Sequence, residues 1–146
     1  MSAPFCVSRR VDFADTDMAG IIHFSNYFRY MEFAEVEFLR ARGLSVAMSW
    51  GLEHYGFPRV AATCDFLRPV RFDDVLDIVV EVERVGRKSV TYSFTFTHEG
   101  TGVAKGRISA VCCRMQPGVH ALEAIEIPEA IRARLLPGGS GISGDE

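Results

Sequence analysis

The sequence predicts a two-layer α+β domain in which an antiparallel sheet of about five strands is wrapped around one long helix. Three observations lead to this prediction. The first residues alternate between apolar and polar side chains, the next segment carries an aromatic stripe with helical period, and four more alternating segments follow. A helix with a mainly aromatic stripe needs a large apolar surface to cover it, and a sheet wrapped around the helix provides that surface.

The N-terminal elements differ in the period of their apolar residues. The segment from Phe5 to Phe13 alternates and predicts a strand. The segment 14–20 is rich in Asp, Thr and Gly, which is typical of a turn. From Phe24 onward, apolar residues recur every three or four positions. This pattern predicts an amphipathic helix of about five turns that ends near Gly43.

The remaining chain is predicted to form mainly strands. Ser45–Tyr55 is predicted as a shorter helix before a break at Gly56–Pro58. Glu99–Gly102 is predicted as a hairpin turn, and Pro128–Leu136 as a short helix with proline at its first position. Four segments alternate or are rich in apolar residues and are predicted as strands: Arg59–Leu67, Val75–Val85, Ser89–His98 and Val103–Met115.

Length and composition predict one globular domain over residues 1–136. The chain has 146 residues, of which 48% are hydrophobic and 24% charged, which is ordinary for a globular protein. Residues 137–146 read PGGSGISGDE and have too little apolar surface to pack, so we expect a flexible tail there. The net charge of −3 disfavours a general nucleic-acid binder, which would carry a basic face.

Targeting signals and cysteines are those expected of a cytoplasmic protein. Arg9 and Arg10 interrupt the position where a signal peptide has its apolar core. The sequence has no run of about 18 apolar residues, so no membrane span is predicted. The four cysteines lack CxxC spacing and include the adjacent pair Cys112 and Cys113. We therefore expect reduced, mostly buried thiols, with neither a zinc site nor a disulfide framework.

The segment between the first strand and the helix has the residues for chemistry on a carbonyl group. Two carboxylates, Asp15 and Asp17, precede Gly20, and the helix is predicted to begin at Phe24. The N-terminus of a helix offers unpaired N–H donors that can polarise a carbonyl and stabilise an oxyanion. A nearby carboxylate can attack the carbonyl carbon or deprotonate a water molecule. From the residues alone, these groups could equally be turn and cap residues.

The motif F-x-D-T-D-x-x-G-I-x-H-F-x-N-Y resembles the entry motif of the 4-hydroxybenzoyl-CoA thioesterase family, which has the hot-dog fold. The passage from Phe66–Pro69 to Asp73, Asp74 and Leu76 and the turn Gly86–Ser89 also resemble segments of this family. The resemblance continues in order to about residue 130. Ten residues form the motif itself: Phe13, Asp15, Thr16, Asp17, Gly20, Ile21, His23, Phe24, Asn26 and Tyr27.

The resemblance implies an acyl-CoA thioesterase that needs no metal or organic cofactor. It implies that Asp17 is the catalytic carboxylate, as nucleophile or as general base, and that the backbone N–H near Phe24 binds the thioester carbonyl. The turn of Arg87, Lys88 and Ser89 would contact coenzyme A. The resemblance also implies homodimers or homotetramers with active sites between protomers.

Several residues have competing roles. Asp15 is the competing carboxylate, although its place before Thr16 suits a structural hydrogen bond to the loop backbone. His23 could orient the substrate, protonate the leaving thiolate or be structural. Glu35 lies on the apolar stripe of the helix and is the alternative nucleophile, because another branch of hot-dog thioesterases has its carboxylate there. A metal site made of Asp15, Asp17 and His23 is the least supported of these roles.

The acyl group and the rival functions remain open at this point. Arg68 and Arg71 flank Pro69 and are further candidates for phosphate contact. A non-catalytic acyl-CoA or acyl-carrier binding protein would have the same fold but no use for a carboxylate such as Asp17, and a hydratase is a third alternative. Aromatic residues suit an aryl or a medium-chain acyl group equally, and the predicted pocket residues are Tyr27, Phe28, Trp50, His54 and Tyr55.

Overall fold

A computed structural model of the chain describes residues 4–50, 53–116, 118 and 122–136. Within these residues the chain forms two α-helices, nine strands and one 3-10 turn at Phe13–Asp15. The helices are α1 (Asn26–Ala41) and α2 (Glu129–Leu135). The strands are β1 (Phe5–Arg10), β2 (Ala47–Trp50), β3 (Glu53–Gly56), β4 (Arg59–Phe66), β5 (Val75–Val85), β6 (Ser89–His98), β7 (Thr101–Val111), β8 (Cys113–Met115) and β9 (Glu123–Ala124).

The strands form two antiparallel sheets. The larger sheet has five strands in the order β1-β5-β6-β7-β4, and the smaller sheet has four in the order β2-β3-β8-β9. The apolar stripe of α1 packs against the larger sheet, so the prediction of a five-stranded antiparallel sheet around a long central helix is confirmed. Neither helix of the described part is long and apolar enough to span a membrane.

The interface between α1 and the larger sheet is aromatic, and one glycine brings the two layers close together. A Cβ atom at Gly106 of β7 would collide with the sulfur of Met31, so glycine lets the helix approach the sheet at this point. Glu35 is the one charged side chain of the described residues that is buried, with 1% exposure. The buried residues of the helix are Tyr27, Tyr30, Met31, Ala34, Glu35, Phe38 and Leu39.

The predicted helix over Ser45–Tyr55 is wrong, because this segment contains β2 and β3. Ala47 pairs with Gly56 and Met48 with Tyr55, and β3 then pairs with β8. Strand β8 exists because the predicted strand Val103–Met115 breaks at Cys112, which turns its last residues away from the larger sheet. The short helical pattern is therefore outweighed by the hydrogen bonds that β8 offers to a strand.

Other boundaries differ by a few residues from the prediction. The first strand ends at Arg10 rather than Phe13, and α1 begins at Asn26 rather than Phe24. The predicted hairpin turn is confirmed, since Glu99 and Gly100 both have positive φ angles, of 50° and 81°. These are the angles of a two-residue type I′ turn. The tail predicted over residues 137–146 lies outside the described residues.

Strand β4 is an exposed edge of the larger sheet. It pairs with β7 on one side only, and all its residues except one are exposed. Val60 and Phe66 are 64% and 47% exposed although both are apolar. Open edges of this kind are available for pairing with another strand.

The two ends of the larger sheet are far apart. One end, which we call the loop end, holds Val75, Phe66 and the loop between β1 and α1. The other, the turn end, holds Arg59 and the turn between β5 and β6. Strand β5 runs from one end to the other over 11 residues. At the rise of a β-strand this corresponds to about 33 Å.

Candidate functional site

The loop between β1 and α1 is held in shape by its own backbone. Thr16 forms an isolated antiparallel bridge with Ile22, and the Asp17 N–H donates to the carbonyl oxygen of Ile21 at 2.8 Å. The Gly20 N–H donates back to the carbonyl oxygen of Asp17 at 2.9 Å. Gly20 has a φ angle of 80°, which glycine adopts without strain. The loop therefore presents Asp17 on a tight turn.

The carboxylate of Asp17 has one bound and one free oxygen. Its Oδ1 accepts a hydrogen bond from the Ala19 N–H at 2.8 Å, which fixes the orientation of the side chain. Its Oδ2 has no hydrogen-bond or ion-pair partner among the described residues. The side chain is half-buried. The carboxylate is thus held in place by one oxygen and can react through the other.

The backbone at Phe24 offers a free donor next to this loop. Phe24 lies two residues before the first residue of α1, and its carbonyl oxygen accepts a hydrogen bond from the Tyr27 N–H at 3.3 Å. Within the described ranges, the Phe24 N–H itself has no acceptor. A free N–H at the entrance of a helix can bind a carbonyl oxygen and the oxyanion derived from it.

An apolar groove of about 460 Å³ is lined by Phe24 and by Ile21, the residue whose carbonyl oxygen accepts the Asp17 N–H. Rings of Phe24 and Tyr27 contact that of Phe66 at centroid distances of 6.4 and 5.1 Å. Burial raises the pKa of Tyr27 to about 12, so its hydroxyl is neutral at pH 7. The groove is lined by Ile21, Ile22, Phe24, Tyr27, Phe66, Leu67, Arg68 and Pro69.

Asp15 connects the loop to the core of the domain. Its Oδ2 accepts a hydrogen bond from the hydroxyl of the buried Tyr30 at 2.7 Å. Its backbone carbonyl accepts bonds from the His23 N–H at 2.8 Å and from Asn26 Nδ2 at 2.9 Å. Burial and the bond to Asp15 raise the pKa of Tyr30, so the phenol stays a donor. Asp15 is therefore an anchor of the loop, and its side chain points to Tyr30.

Replacing Tyr30 with phenylalanine tests this anchor. For the thioester hydrolysis that the resemblance implies, we expect kcat to fall about 10-fold to 100-fold with little change in KM, because the Asp17 loop loses its fixed position. The free energy of unfolding should fall by about 1–2 kcal/mol, because one buried hydrogen bond is lost. Tyr92→Phe is the control, since Tyr92 is equally buried but packs against Phe38. A Tyr30→Phe variant with the kcat of the Tyr92→Phe variant would contradict the role of the anchor.

His23 lies at the surface of the loop. Its Nδ1 is 2.8 Å from the hydroxyl oxygen of Ser25, and it accepts a hydrogen bond from the Ser25 N–H at 3.3 Å. Its ring stacks on that of Phe24 at 4.8 Å. Nδ1 is therefore occupied within the loop, and Nε2 is the nitrogen that can face a substrate.

Glu35 is buried in an ion pair far along the helix. Arg59 Nη2 donates to Glu35 Oε1 at 2.5 Å, and Glu32 lies on the outer side of the same guanidinium at 3.8 Å. Burial raises the pKa of Glu35, while the hydrogen bond and the charge of Arg59 oppose this rise. Glu35 is eight residues from Tyr27 on the helix, or about 12 Å. Its carboxylate is thus occupied and distant from the groove.

The basic turn lies at the turn end of the sheet, so one protomer does not bring it to Asp17. Arg87 forms an ion pair with Glu126, and its Nε donates to Glu126 Oε2 at 3.2 Å. This pair lowers the pKa of Glu126. Lys88 is exposed and has no ion-pair partner in the described part of the chain. The sequence could predict neither the pairing of Arg87 with Glu126 nor the distance between the basic turn and Asp17, because both depend on the register of distant strands.

The predicted pocket residues belong to two separate depressions. Tyr27 lines the groove beside Asp17, whereas His54 and Tyr55 line a second depression of about 390 Å³ at the turn end. In the second depression the hydroxyl oxygen of Ser49 is 2.8 Å from Nδ1 of His54, and Arg59 forms part of the wall. Phe28 is half-buried against the core, and the Trp50 side chain lies outside the described residues.

Among the described residues, the cysteines and acidic residues form neither a metal-binding group nor a disulfide. In the described ranges, no three His, Cys, Asp or Glu side chains are grouped so that they could hold a metal ion. The four cysteines are free thiols. Cys112 and Cys113 are buried, whereas Cys6 is exposed and Cys64 is half-buried, so the prediction of mostly buried thiols is correct for two of them.

Sequence comparisons identify relatives over most of the chain. A putative esterase of Aquifex aeolicus (strain VF5) is 40% identical over 104 residues, which are 70% of this chain and 79% of the relative. A 1,4-dihydroxy-2-naphthoyl-CoA hydrolase of Nostoc punctiforme is 32% identical and covers 74% of this chain and 73% of its own. The 4-hydroxybenzoyl-CoA thioesterase of Pseudomonas sp. (strain CBS-3) is 31% identical, with coverages of 61% and 64%.

Structure and family profile lead to the same assignment. The crystal structure of a hypothetical protein from Aquifex aeolicus superimposes with a TM-score of 0.78 at 30% identity, covering 91% of this chain and 100% of that one. The fold is therefore the hot-dog fold, as the resemblance implied. The profile of the thioesterase-like superfamily matches residues 11–135. The chain therefore belongs to the thioesterase-like superfamily.

Proposed function

We propose that the protein hydrolyses a coenzyme A thioester and that Asp17 is its catalytic carboxylate. The observation that supports this most is the free Oδ2 of Asp17, on a side chain already oriented through Oδ1. The Asp17 backbone is bonded to Ile21, which lines an apolar groove. A protein that only binds acyl-CoA gains nothing from an unpaired carboxylate next to the thioester. Membership of a thioesterase superfamily supports the same reaction.

In the proposed reaction the thioester carbonyl lies against the N–H of Phe24. Asp17 then acts on the carbonyl carbon directly or through a water molecule that it deprotonates. The negative charge that develops on the carbonyl oxygen is stabilised by the N–H. The carbon–sulfur bond breaks, and coenzyme A leaves as a thiolate that takes up a proton. If Asp17 attacks directly, water hydrolyses the resulting anhydride. His23 Nε2 is the candidate proton donor to the thiolate.

We propose that the acyl group is aromatic. Phe24, Tyr27 and Phe66 line the groove with three rings whose mutual contacts are edge-to-face or tilted, which is the packing that a further ring can join. Relatives of the chain are a 1,4-dihydroxy-2-naphthoyl-CoA hydrolase and a 4-hydroxybenzoyl-CoA thioesterase. Aromatic acyl groups should therefore be hydrolysed with a higher kcat/KM than aliphatic ones.

We propose further that the working unit is a dimer joined through β4. Pairing of β4 with its two-fold copy would be antiparallel, so Arg59 of each protomer would lie beside Phe66 of the other. The second depression and the basic turn of the partner would then lie beside the groove and Asp17. Arg87, Lys88 and Ser89 could thus contact coenzyme A bound to the other protomer. Free thiols at all four cysteines support a cytoplasmic location.

The proposed activity is tested by thiol release from a panel of short, long and aromatic acyl-CoA esters. Hydrolysis with the highest kcat/KM for aromatic esters is the expected result. Release that is fastest with aliphatic esters would contradict the aromatic acyl group but not the activity. Binding of an ester without release of thiol would show a binding protein instead.

Replacing Ala62 with lysine tests the dimer. Ala62 is exposed near the middle of β4, where a two-fold axis would bring the two new charges together. Like charges at this position should prevent the edges from pairing. We expect the wild type to have the mass of a dimer or of a tetramer of two dimers, and the variant that of a monomer with little activity. Thr101→Lys, exposed at the start of β7, is the control. An active Ala62→Lys monomer would contradict an active site between protomers.

A further inference from the structure

Two arginines beside the groove have no carboxylate partner. Arg68 and Arg71 lie in the segment between β4 and β5, and both are exposed. No ion pair to either guanidinium is present in the part of the chain that the structure describes. Five arginines of the larger sheet and its turns, by contrast, lie within 4.0 Å of a carboxylate, namely Arg9, Arg10, Arg59, Arg87 and Arg107.

The two carboxylates that follow Arg71 in the same loop already have partners. Asp73 pairs with Arg10 at 3.3 Å. Asp74 accepts a hydrogen bond from the backbone N–H of Arg71 at 2.9 Å through Oδ2, and its Oδ1 lies 3.7 Å from His98 Nε2. The carboxylates of Asp73 and Asp74 therefore contact other groups, and neither forms an ion pair with the guanidinium of Arg68 or Arg71.

The backbone of the Asp17 loop positions Arg71, whereas β7 positions Arg68. Ile21 of the Asp17 loop forms an antiparallel bridge with Arg71, and the Arg71 guanidinium reaches Gly20, where a Cβ atom would lie 3.9 Å from Nη1. Arg68 lines the groove, and its Nη1 donates to the carbonyl oxygen of Gly102 at 3.2 Å. One cation therefore lines the groove, and the other lies against the loop that carries Asp17.

We propose that Arg68 and Arg71 bind phosphate of the substrate's phosphopantetheine arm, the part that coenzyme A shares with acyl-carrier proteins. This inference rests on the proposed thioesterase function and adds a second anion site to it. Guanidinium groups pair well with phosphate oxygens, and Arg68 has four N–H donors left after its bond to Gly102. Arg87, in contrast, must share its charge with Glu126 before it can bind an anion.

The exposure of both arginines favours phosphate over an acidic acyl group. A carboxylate on the acyl group would enter the groove with that group and would need a cation at the buried end. The charged side chain that lines the groove is instead the exposed Arg68. Phosphate at this edge can keep part of its hydration, which lowers the cost of binding it.

The test compares the wild type with an Arg68→Gln, Arg71→Gln double variant on two matched esters. One is an acyl-CoA, and the other is the same acyl group on pantetheine, which has no phosphate. The acyl group on 4′-phosphopantetheine, which lacks only the nucleotide part of coenzyme A, should respond to the substitutions as the acyl-CoA does; a response limited to the acyl-CoA would contradict the proposal. We expect KM for the acyl-CoA to rise at least about tenfold with kcat unchanged, because charge-assisted hydrogen bonds are lost. KM for the pantetheine ester should not change. The KM of the wild type for acyl-CoA should rise with salt more steeply than that of the variant.

Three further results would overturn the inference. The first is an unchanged KM for acyl-CoA. The second is an equal rise in KM for the pantetheine ester, which would assign the arginines to the acyl group. The third is dissociation of the dimer in the double variant, which would assign them to a contact between protomers. An Arg87→Gln, Lys88→Gln variant, measured on the same esters, is the control. It shows how much of the KM for acyl-CoA depends on the basic turn between β5 and β6. If the wild type hydrolyses neither ester, the proposed function fails first.

Discussion

Replacing Asp17 with asparagine is expected to lower kcat for thioester hydrolysis by about 10³-fold or more, which is the usual cost of removing a main catalytic group. Asparagine has nearly the same shape, and its carbonyl oxygen can still accept the hydrogen bond of the Ala19 N–H. The loop should therefore keep its geometry while the reactive oxygen is lost. KM should change little, since Oδ2 of Asp17 makes no contact that holds the loop.

Thiol release with saturating substrate measures this effect, and Asp12→Asn is the matched control. Asp12 is an exposed aspartate of the same loop whose carboxylate pairs with Arg9 at 3.3 Å. Near wild-type activity of the Asp12→Asn variant would show that the loss of one negative charge in the loop does not by itself lower kcat. If the Asp17→Asn enzyme stays active, Asp17 is not the catalytic carboxylate, and Asp15 is the remaining carboxylate of the motif.

Replacing Arg59 with methionine is expected to lower the free energy of unfolding by about 3 kcal/mol at pH 7, because the carboxylate of Glu35 would stay buried without its partner. Only 2% of the Glu35 side chain is exposed, so water cannot replace the guanidinium. Denaturant unfolding measures the change. A variant as stable as the wild type would show that Glu35 is hydrated in solution.

The same variant should show a characteristic pH dependence. Burial already raises the pKa of Glu35, and loss of Arg59 removes the interaction that opposes this rise. An acid whose pKa is higher in the folded state destabilises the fold once it must ionise. The deficit should therefore be small near pH 4, where the carboxyl is protonated in both states, and should grow as the pH rises through the raised pKa. A deficit that is constant with pH would contradict this explanation.

A double variant separates charge from packing. Replacing Glu35 with leucine in the Arg59→Met background removes both charges and leaves apolar side chains of similar size. Such replacements of buried ion pairs are often neutral or stabilising. We expect stability to return close to that of the wild type and the pH-dependent deficit of the single variant to disappear.

The sequence predicted the larger sheet and α1 because both show their period over many residues. Strand β6 alternates along its whole length, and the stripe of α1 covers four turns. The prediction of a helix for the segment 45–55 was wrong, because the local pattern of a short element does not reveal which strand edge is available to it. The open edge of β8 arises only from the break at Cys112. Local pattern alone could not have located that break.

The site was predicted in its local parts but not in its long-range contacts. The motif places Asp17, Gly20 and Phe24 in one loop, and the structure finds them there. The bond from Tyr30 to Asp15 and the pairing of Arg71 with Ile21 join residues that are 15 and 50 positions apart. Such contacts depend on how the helix docks and on which strands pair. The roles assigned to Asp17, His23 and the basic turn remain predictions.

The order of elements along the chain has a consequence for synthesis on the ribosome. Helix α1 is complete at Ala41, whereas β7, the last strand of the larger sheet in chain order, is complete only at Val111, about 70 residues later. At about 5–20 residues per second, the nascent chain displays an aromatic stripe without its sheet for roughly 4–14 s. A chaperone that binds apolar segments, or an early encounter with a second nascent chain, would meet the helix first. Yield during expression should therefore respond to translation speed between these two points.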